Sequence, residues 1–306
     1  MTTTTRPPAQ RVRTTGRGSH LRARWVGLTF VLPALVVYGL FVVLPLGRSV
    51  VLSFYAWDGI GEQTWVGLDN YLSVLSTPLL RSSLVNALTL IIFFAVIPVT
   101  AGLILAAVIA GQSGRHMSAY RLVFFVPYVL PMVATGIIWR WIYQQNGAIN
   151  QALGLVGLEG FGRAWLGDLD FALIAVGLIG SWVLSGFCMM LFIAGTQRID
   201  TALYEAAMLD GAGPYWRFRG VTLPGLRREI SIALVVTTIA ALASFDLIFV
   251  TTNGGPANTT VVPSLLVYRL AFTEQQVGQA AALAIILTAF VLVIAWMVRR
   301  LSREPS

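Results

Sequence analysis

The chain has 306 residues, of which 57% are hydrophobic and only 11% are charged. In soluble domains about a quarter of the residues are usually charged. This composition therefore excludes a water-soluble protein and favours one surrounded largely by lipid. The net charge is +8, and every basic residue other than the histidines is arginine. Because the arginines lie before and between the apolar segments, the charge indicates membrane topology and not a nucleic-acid-binding face.

Six apolar segments have the length of about 20 residues or more that a membrane-spanning helix needs. The predicted spans are Trp25–Leu46, Leu84–Ala110, Tyr120–Trp141, Phe171–Gly195, Ile230–Thr252 and Ala280–Val298. Arginine concentrates in the tail 1–24, in alternate loops and in the tail 299–306. Because basic loops remain in the cytoplasm, we predict an all-α membrane domain, residues 25–298, with both termini inside. The Thr-, Pro- and Gly-rich tail 1–24 is predicted to be disordered.

The third predicted span contains two prolines four residues apart, Pro127 and Pro131. A proline in a spanning helix frees a backbone carbonyl, which is tolerated only beside protein or a water-filled cavity. We therefore predict that this helix bends. The bend has two interpretations, a helix that lines a pathway or a kink that serves packing alone.

The cytoplasmic segment between the fourth and fifth spans, residues 196–229, carries the most information. Residues 205–209 are good helix formers, and Gly211 and Gly213 are predicted to end that helix with conformations closed to other residues. Pro214 is then predicted to begin a second short helix. The segment also carries large apolar residues: Met208, Leu209, Tyr215, Trp216 and Phe218. Such a surface either docks another protein or rests on lipid.

This segment resembles the EAA loop of binding-protein-dependent ABC importer permeases. The matching residues are Glu205, Ala206, Ala207, Asp210, Gly211, Leu223 and Pro224, and Met208, Ala212 and Gly213 lie among them. In that family the short helix of the loop fits a cleft on the cytosolic ATPase and passes its closing to the spans. The resemblance thus implies a coupling role for these ten residues.

The resemblance extends to the carbohydrate branch of that family, specifically its maltose-type first permease. The similar segments are residues 245–256 (FDLIFVTTNGGP), 67–71, 125–128 and 139–141. It implies the ABC importer permease fold, a sugar as solute and a place in the inner membrane of a bacterium. It also implies four kinds of partner: a second permease subunit, two ATP-binding subunits, an extracytoplasmic solute-binding protein and the sugar itself.

ATP hydrolysis in this chain is excluded, because a phosphate-binding loop ends in a lysine and the chain has none. We therefore expect ATP and magnesium to be bound by a partner, and no cofactor, metal or catalytic residue in this chain. A membrane enzyme would need a paired acid and base, an activated nucleophile or a metal cluster. An ion-coupled secondary transporter is the alternative, although such proteins usually have repeated halves, and we find no internal repeat.

A sugar pathway needs aromatic faces and hydroxyl-bonding groups within the spans. On residue type the candidates include Tyr128, Trp182, Phe187, Thr237, Ser244 and Asp246. The resemblance implies that Tyr128, Met132, Leu184, Phe187, Thr237 and Ala241 face the solute. Two alternatives remain open: the hydroxyl groups could bond their own helices, and Asp246 could only reach the outer interface.

Overall fold

The computed structural model describes residues 30–110 and 115–301, and these are mostly helical. In chain order the helices are α1 Phe30–Leu52, α2 Asp69–Ser76, α3 Pro78–Ile109, α4 Arg115–Val129, α5 Met132–Ile142, α6 Ala148–Leu155, α7 Ala172–Thr196, α8 Thr201–Leu209, α9 Pro214–Arg217, α10 Arg227–Leu242, α11 Asp246–Thr251, α12 Pro263–Tyr268 and α13 Val277–Leu301. A short antiparallel pair, β1 Tyr55–Ala56 and β2 Thr64–Trp65, follows α1. The predicted tail 1–24 lies outside the described residues.

Within the described ranges, four helices are long and apolar enough to cross a membrane: α1, α3, α7 and α13. Helices α4 and α5 supply a fifth crossing if they are counted as one bent span. The prediction of an all-α membrane protein is confirmed. Helix α1 belongs to a compact unit that ends at Val51, and its apolar side chains are exposed around the whole helix, as expected for a segment covered by lipid.

The predicted third span, Tyr120–Trp141, bends far more sharply than a proline kink. Helices α4 and α5 meet at an angle of 100°, so the predicted bend is confirmed, and it divides the span into two helices. Pro131 lies at the break, with φ −56° and ψ 133°. Its carbonyl accepts a hydrogen bond from the Thr135 N–H at 3.0 Å and so starts α5. Pro127 lies inside α4.

The predicted fifth span, Ile230–Thr252, is not a single helix, so that prediction is wrong. Helix α10 ends at Leu242, and α11 begins only at Asp246. The 16 residues of α10 cover about 24 Å, less than the hydrocarbon thickness of about 30 Å. In the break, the Ser264 hydroxyl donates to the carbonyl of Ser244, which gives that buried acceptor a partner within the protein.

Helix α7 is the central helix of the unit that begins at Leu52, because neighbours surround most of its length. Glycines permit these close approaches. A Cβ on Gly180 would collide with the ring of Phe94, and one on Gly186 would collide with the carbonyl oxygen of Phe124. On α3, a Cβ on Gly102 would lie 2.5 Å from the Cβ of Cys188. Backbone contact of this kind fixes the positions of α3 and α4 against α7.

The packing predicts that Gly102→Ala destabilises the protein, because the added methyl meets the backbone of α7, 2.8 Å from the Met189 nitrogen. We expect a loss of about 1–3 kcal/mol, measured as a lower thermal unfolding temperature in detergent. The control is Gly160→Ala, in the same unit, where an added Cβ has no atom within 4 Å among the described residues. Equal unfolding temperatures for the two variants would contradict the close approach of α3 and α7.

Candidate functional site

The EAA segment begins with a capped helix. The side chain of Asp200 accepts a hydrogen bond from the backbone N–H of Ala202 at 3.0 Å. This satisfies one of the N–H groups that the first turn of α8 leaves without a helical partner. The start of α8 is therefore fixed locally, by a residue that directly precedes it.

A Schellman turn ends α8. Gly211 has φ +76°, its N–H donates to the Met208 carbonyl at 3.0 Å, and the Ala212 N–H donates to the Ala207 carbonyl at 2.9 Å. This pair of bonds defines the motif and requires a left-handed residue at the position that Gly211 occupies. The predicted special conformation is confirmed at Gly211.

The same prediction is wrong at Gly213. Its φ is −67° and its ψ is 173°, an extended conformation that other residues adopt freely. Gly213 instead caps the next helix, since its carbonyl accepts from the Arg217 N–H at 3.0 Å. Pro214 occupies the first turn of α9 as predicted, because proline there sacrifices no helical hydrogen bond. Helical turns then continue through residues 218–225 to α10.

The two arms of the loop are joined to each other. The hydroxyls of Tyr204 on α8 and Thr222 lie 2.9 Å apart and share a hydrogen bond. Thr222 is buried and Tyr204 is half-buried, so water competes only partly for this bond. The angle between the arms is therefore set by the glycine turn at one end and by this bond at the other.

The loop is also anchored to the spans. Leu226 is 1% exposed and packs in a cluster with residues of α3 and α7, including Val99 and Phe192. A Cβ on Gly195, near the end of α7, would lie 2.6 Å from the Leu226 side chain. Arg198 and Glu229 add an ion pair at 3.7 Å. We call these contacts, made by Gly195, Leu226 and the Arg198–Glu229 pair, the loop joint.

The solvent-exposed face of the EAA loop is apolar. The exposed fractions are 90% for Leu209, 50% for Met208, 63% for Tyr215 and 64% for Trp216. Glu205 and Ala206 are exposed, and so are Asp210 and Pro224, whereas Ala207, Ala212 and Leu223 are half-buried. Exposed apolar surface of this extent on a turn that is already ordered is typical of a protein-docking site.

Two aromatic pairs occupy the predicted pathway region. Tyr128 stacks on Phe187 with ring centroids 5.1 Å apart, and Tyr128 is 40% exposed. Trp182 is 44% exposed and meets Trp139 edge to face at 5.5 Å. Each pair joins the bent helices α4 and α5 to α7. Exposed aromatic faces of this kind are suited to the apolar faces of sugar rings.

Four other predicted pathway residues are buried among this chain's own side chains: Leu184, Thr237, Ala241 and Ser244. The Thr237 hydroxyl donates to the Ala233 carbonyl at 2.7 Å, which fits the alternative of a hydroxyl bonded to its own helix. Among the described residues, the buried Ser244 hydroxyl has no hydrogen-bond partner. Met132 is half-buried beside the core cluster that contains Leu184 and Ala241, and Asp246 is exposed in the first turn of α11.

Sequence reasoning missed the anchors of the ordered loop at residues 252–261. The amide of Asn86 donates to the carbonyls of Thr259 and Val261 at 2.9 and 2.8 Å. Arg269 donates to the carbonyl of Asn253 at 2.6 Å and to the side chain of Asn258 at 2.9 Å. Asn86 lies more than 170 positions from its partners, so no local pattern could have identified it.

Tyr143, just after α5, makes a second contact that the sequence did not predict. Its hydroxyl donates to the Ala175 carbonyl of α7 at 3.1 Å, and burial raises the pKa of Tyr143 to about 12. The pKa of a tyrosine is about 10 even without burial, so the phenol stays protonated, and remains a donor, throughout the physiological range. The contact ties the C-terminal end of α5 to the central helix, α7.

The family model described as "Binding-protein-dependent transport system inner membrane component" matches residues 99–305, which include the whole EAA loop. The chain belongs to this permease family. The alternative of an ion-coupled secondary transporter is set aside by this membership. The family membership and the EAA loop together identify the chain as an inner-membrane permease of an ABC importer.

Two relatives support the assignment along nearly the whole chain. The diacetylchitobiose uptake system permease protein NgcF of Streptomyces coelicolor is 34% identical over 288 residues, 90% of this chain and 82% of that protein. The lactose transport system permease protein LacF of Rhizobium radiobacter is 32% identical over 298 residues, 95% and 99% of the two chains. A crystal structure of a bacterial ABC transporter involved in alginate import matches with a TM-score of 0.80 at 22% identity, covering 94% of this chain and 98% of that chain. That match establishes the shared fold.

The turn geometry predicts that Gly211→Pro abolishes ATP-driven uptake by the permease, because proline holds φ near −65° and Gly211 needs +76°. Proline would also remove the N–H that bonds Met208. Uptake into membrane vesicles is the measurement, and abundance in the membrane fraction reports insertion, which should be unchanged. Gly211→Asn is the matched variant and should keep most of the activity, since Asn adopts the left-handed region. Normal uptake by Gly211→Pro would refute the role of the turn.

Proposed function

We propose that the permease forms half of the translocation pathway of an ATP-driven sugar importer in the bacterial inner membrane. Its working partners are a second permease subunit, two ATP-binding subunits and an extracytoplasmic solute-binding protein. ATP and magnesium bind to the ATP-binding subunits. Both termini and the EAA loop face the cytoplasm, as the distribution of arginine favours. The observation that carries the proposal is the preformed apolar loop, joined at its base to α7.

The mechanism is alternating access driven through the loop. When the ATP-binding subunits close, they move the exposed residues of α8, such as Met208 and Leu209. The Tyr204–Thr222 bond and the Schellman turn keep the two arms at a fixed angle. The motion then reaches α7 and α10 through the loop joint, and the spans rock between inward-open and outward-open states.

The sugar class rests on two independent supports. The aromatic faces of Tyr128 and Trp182 are exposed in the region where α4 and α5 meet α7. The named solutes of two relatives, diacetylchitobiose and lactose, are both disaccharides. Aromatic faces bind the apolar faces of sugars without demanding one pattern of hydroxyl groups. We therefore propose a di- or oligosaccharide as the solute.

The proposed docking predicts that Glu205→Lys weakens attachment of the ATP-binding subunit, because Glu205 is exposed on α8 and reversed charge at an interface costs several kcal/mol. Recovery of that subunit with the tagged permease should fall at least about tenfold. The control is Glu62→Lys, at an exposed position in the loop between β1 and β2. Equal recovery from the wild type and Glu205→Lys would count against the docking assignment.

The proposed pathway predicts that Tyr128→Ala raises the KM for disaccharide uptake in proteoliposomes that contain the complete transporter. Loss of one aromatic contact with the sugar should raise the KM about two- to tenfold. Trp141→Ala is the control, since Trp141 is 71% exposed at the far end of α5. Uptake of an amino acid by the wild-type transporter, with no uptake of any disaccharide, would refute the sugar proposal but leave the coupling mechanism intact.

A further inference from the structure

A cavity of about 680 Å³ opens between the start of α10 and the end of α13, and none of the pathway candidates lines it. Three arginines line it: Arg227 and Arg228 from the first turn of α10, and Arg299 from the last turns of α13. The hydroxyl-bearing side chain of Ser231 lies on the same wall, one turn into α10. No aspartate or glutamate of the described ranges lines the cavity, so it presents concentrated positive charge.

The acidic residue nearest in sequence belongs to another contact. Glu229 is 8% exposed and pairs with Arg198 in the loop joint at 3.7 Å, and it is absent from the cavity lining. Arg300 also lies outside the lining, with its guanidinium over the ring of Trp296 at 5.1 Å. Neither Glu229 nor Arg300 therefore contributes to the charge of the cavity lining, to which Arg228 and Arg299 bring one positive charge each.

The part of the cavity wall deeper along α10 is apolar. Ile232, Val235 and Val236 form it, one to two turns further into α10, and Ile232 and Val236 are each 42% exposed. The cavity is thus charged at the membrane-surface end of the helices and apolar toward the membrane interior. Inorganic phosphate would use only the charged end, whereas a phospholipid would use both.

We propose that this cavity binds the phosphate group of an anionic membrane phospholipid. The guanidinium groups of Arg228 and Arg299 bond the phosphate oxygens, and an acyl chain lies along the apolar part of α10. Basic pockets between spanning helices on the cytoplasmic side have this affinity in general. Pro224 and Gly225, at the exit of the EAA loop, also line the cavity, so the bound lipid holds that exit at the membrane surface.

The test is native mass spectrometry of the complete transporter, stripped of lipid in detergent and titrated with phosphatidylglycerol or phosphatidylcholine. We expect saturable binding of phosphatidylglycerol and weak binding of phosphatidylcholine. The double variant R228Q/R299Q should bind phosphatidylglycerol about 30-fold more weakly, which is about fivefold for each charge lost. The variant R300Q removes one charge from the same helix end but outside the cavity, and it should bind as the wild type does.

Three outcomes would overturn the proposal. Equal affinity of the wild type and R228Q/R299Q would show that the lipid binds elsewhere. Displacement of phosphatidylglycerol by an equal concentration of inorganic phosphate would identify a free-phosphate site instead. The wild-type complex could also show no preference for phosphatidylglycerol, a comparison that needs no variant to fold. That result would show that the cavity binds no anionic phospholipid in the complete transporter.

Discussion

The proposed coupling of the EAA loop to the spans depends on one contact, the packing of Leu226 against Gly195 where the loop enters the spans. Burial of a leucine side chain stabilises by about 2 kcal/mol. The neighbouring Arg198–Glu229 pair, with Arg198 75% exposed, is worth at most about 1 kcal/mol. The apolar contact is therefore the stronger part of the loop joint, and salt does not screen it. Any larger side chain than glycine at position 195 would push Leu226 away from α7.

The loop is ordered before any partner binds. A side-chain cap, a Schellman turn and the Tyr204–Thr222 bond fix α8 and α9 from within the loop itself. Docking then costs little conformational entropy, so more of the apolar contact energy remains for attachment. The same rigidity allows a push on Leu209, which is 90% exposed, to reach the spans without being absorbed by bending. A flexible loop with the same apolar side chains would attach the partner and yet fail to couple it.

The sequence predicted those features that local chemistry decides. The ends of α7 differ from the predicted Phe171–Gly195 by one residue each, and Gly211 and Pro214 occupy the roles that their backbone preferences favour. The break after Leu242 was missed because residues 240–245 contain neither glycine nor proline. That break depends instead on Ser264, which bonds a carbonyl 20 positions away. Burial of Thr237 and Ala241 depends likewise on distant helices, so the periodicity of α10 could not reveal it, and their role in the pathway stays a prediction.

The measurement that tests rigid coupling most directly is a spin-label distance between the loop and the central helix. Labels at Leu209→Cys and Leu178→Cys occupy exposed positions on α8 and α7, and the one native cysteine, Cys188, is fully buried. In the complete transporter, we expect the same narrow distance distribution without nucleotide and with bound ATP, because loop and helix move as one body. A distribution that shifts or broadens by several ångström on ATP binding would contradict the account, since the loop would then move independently of the spans.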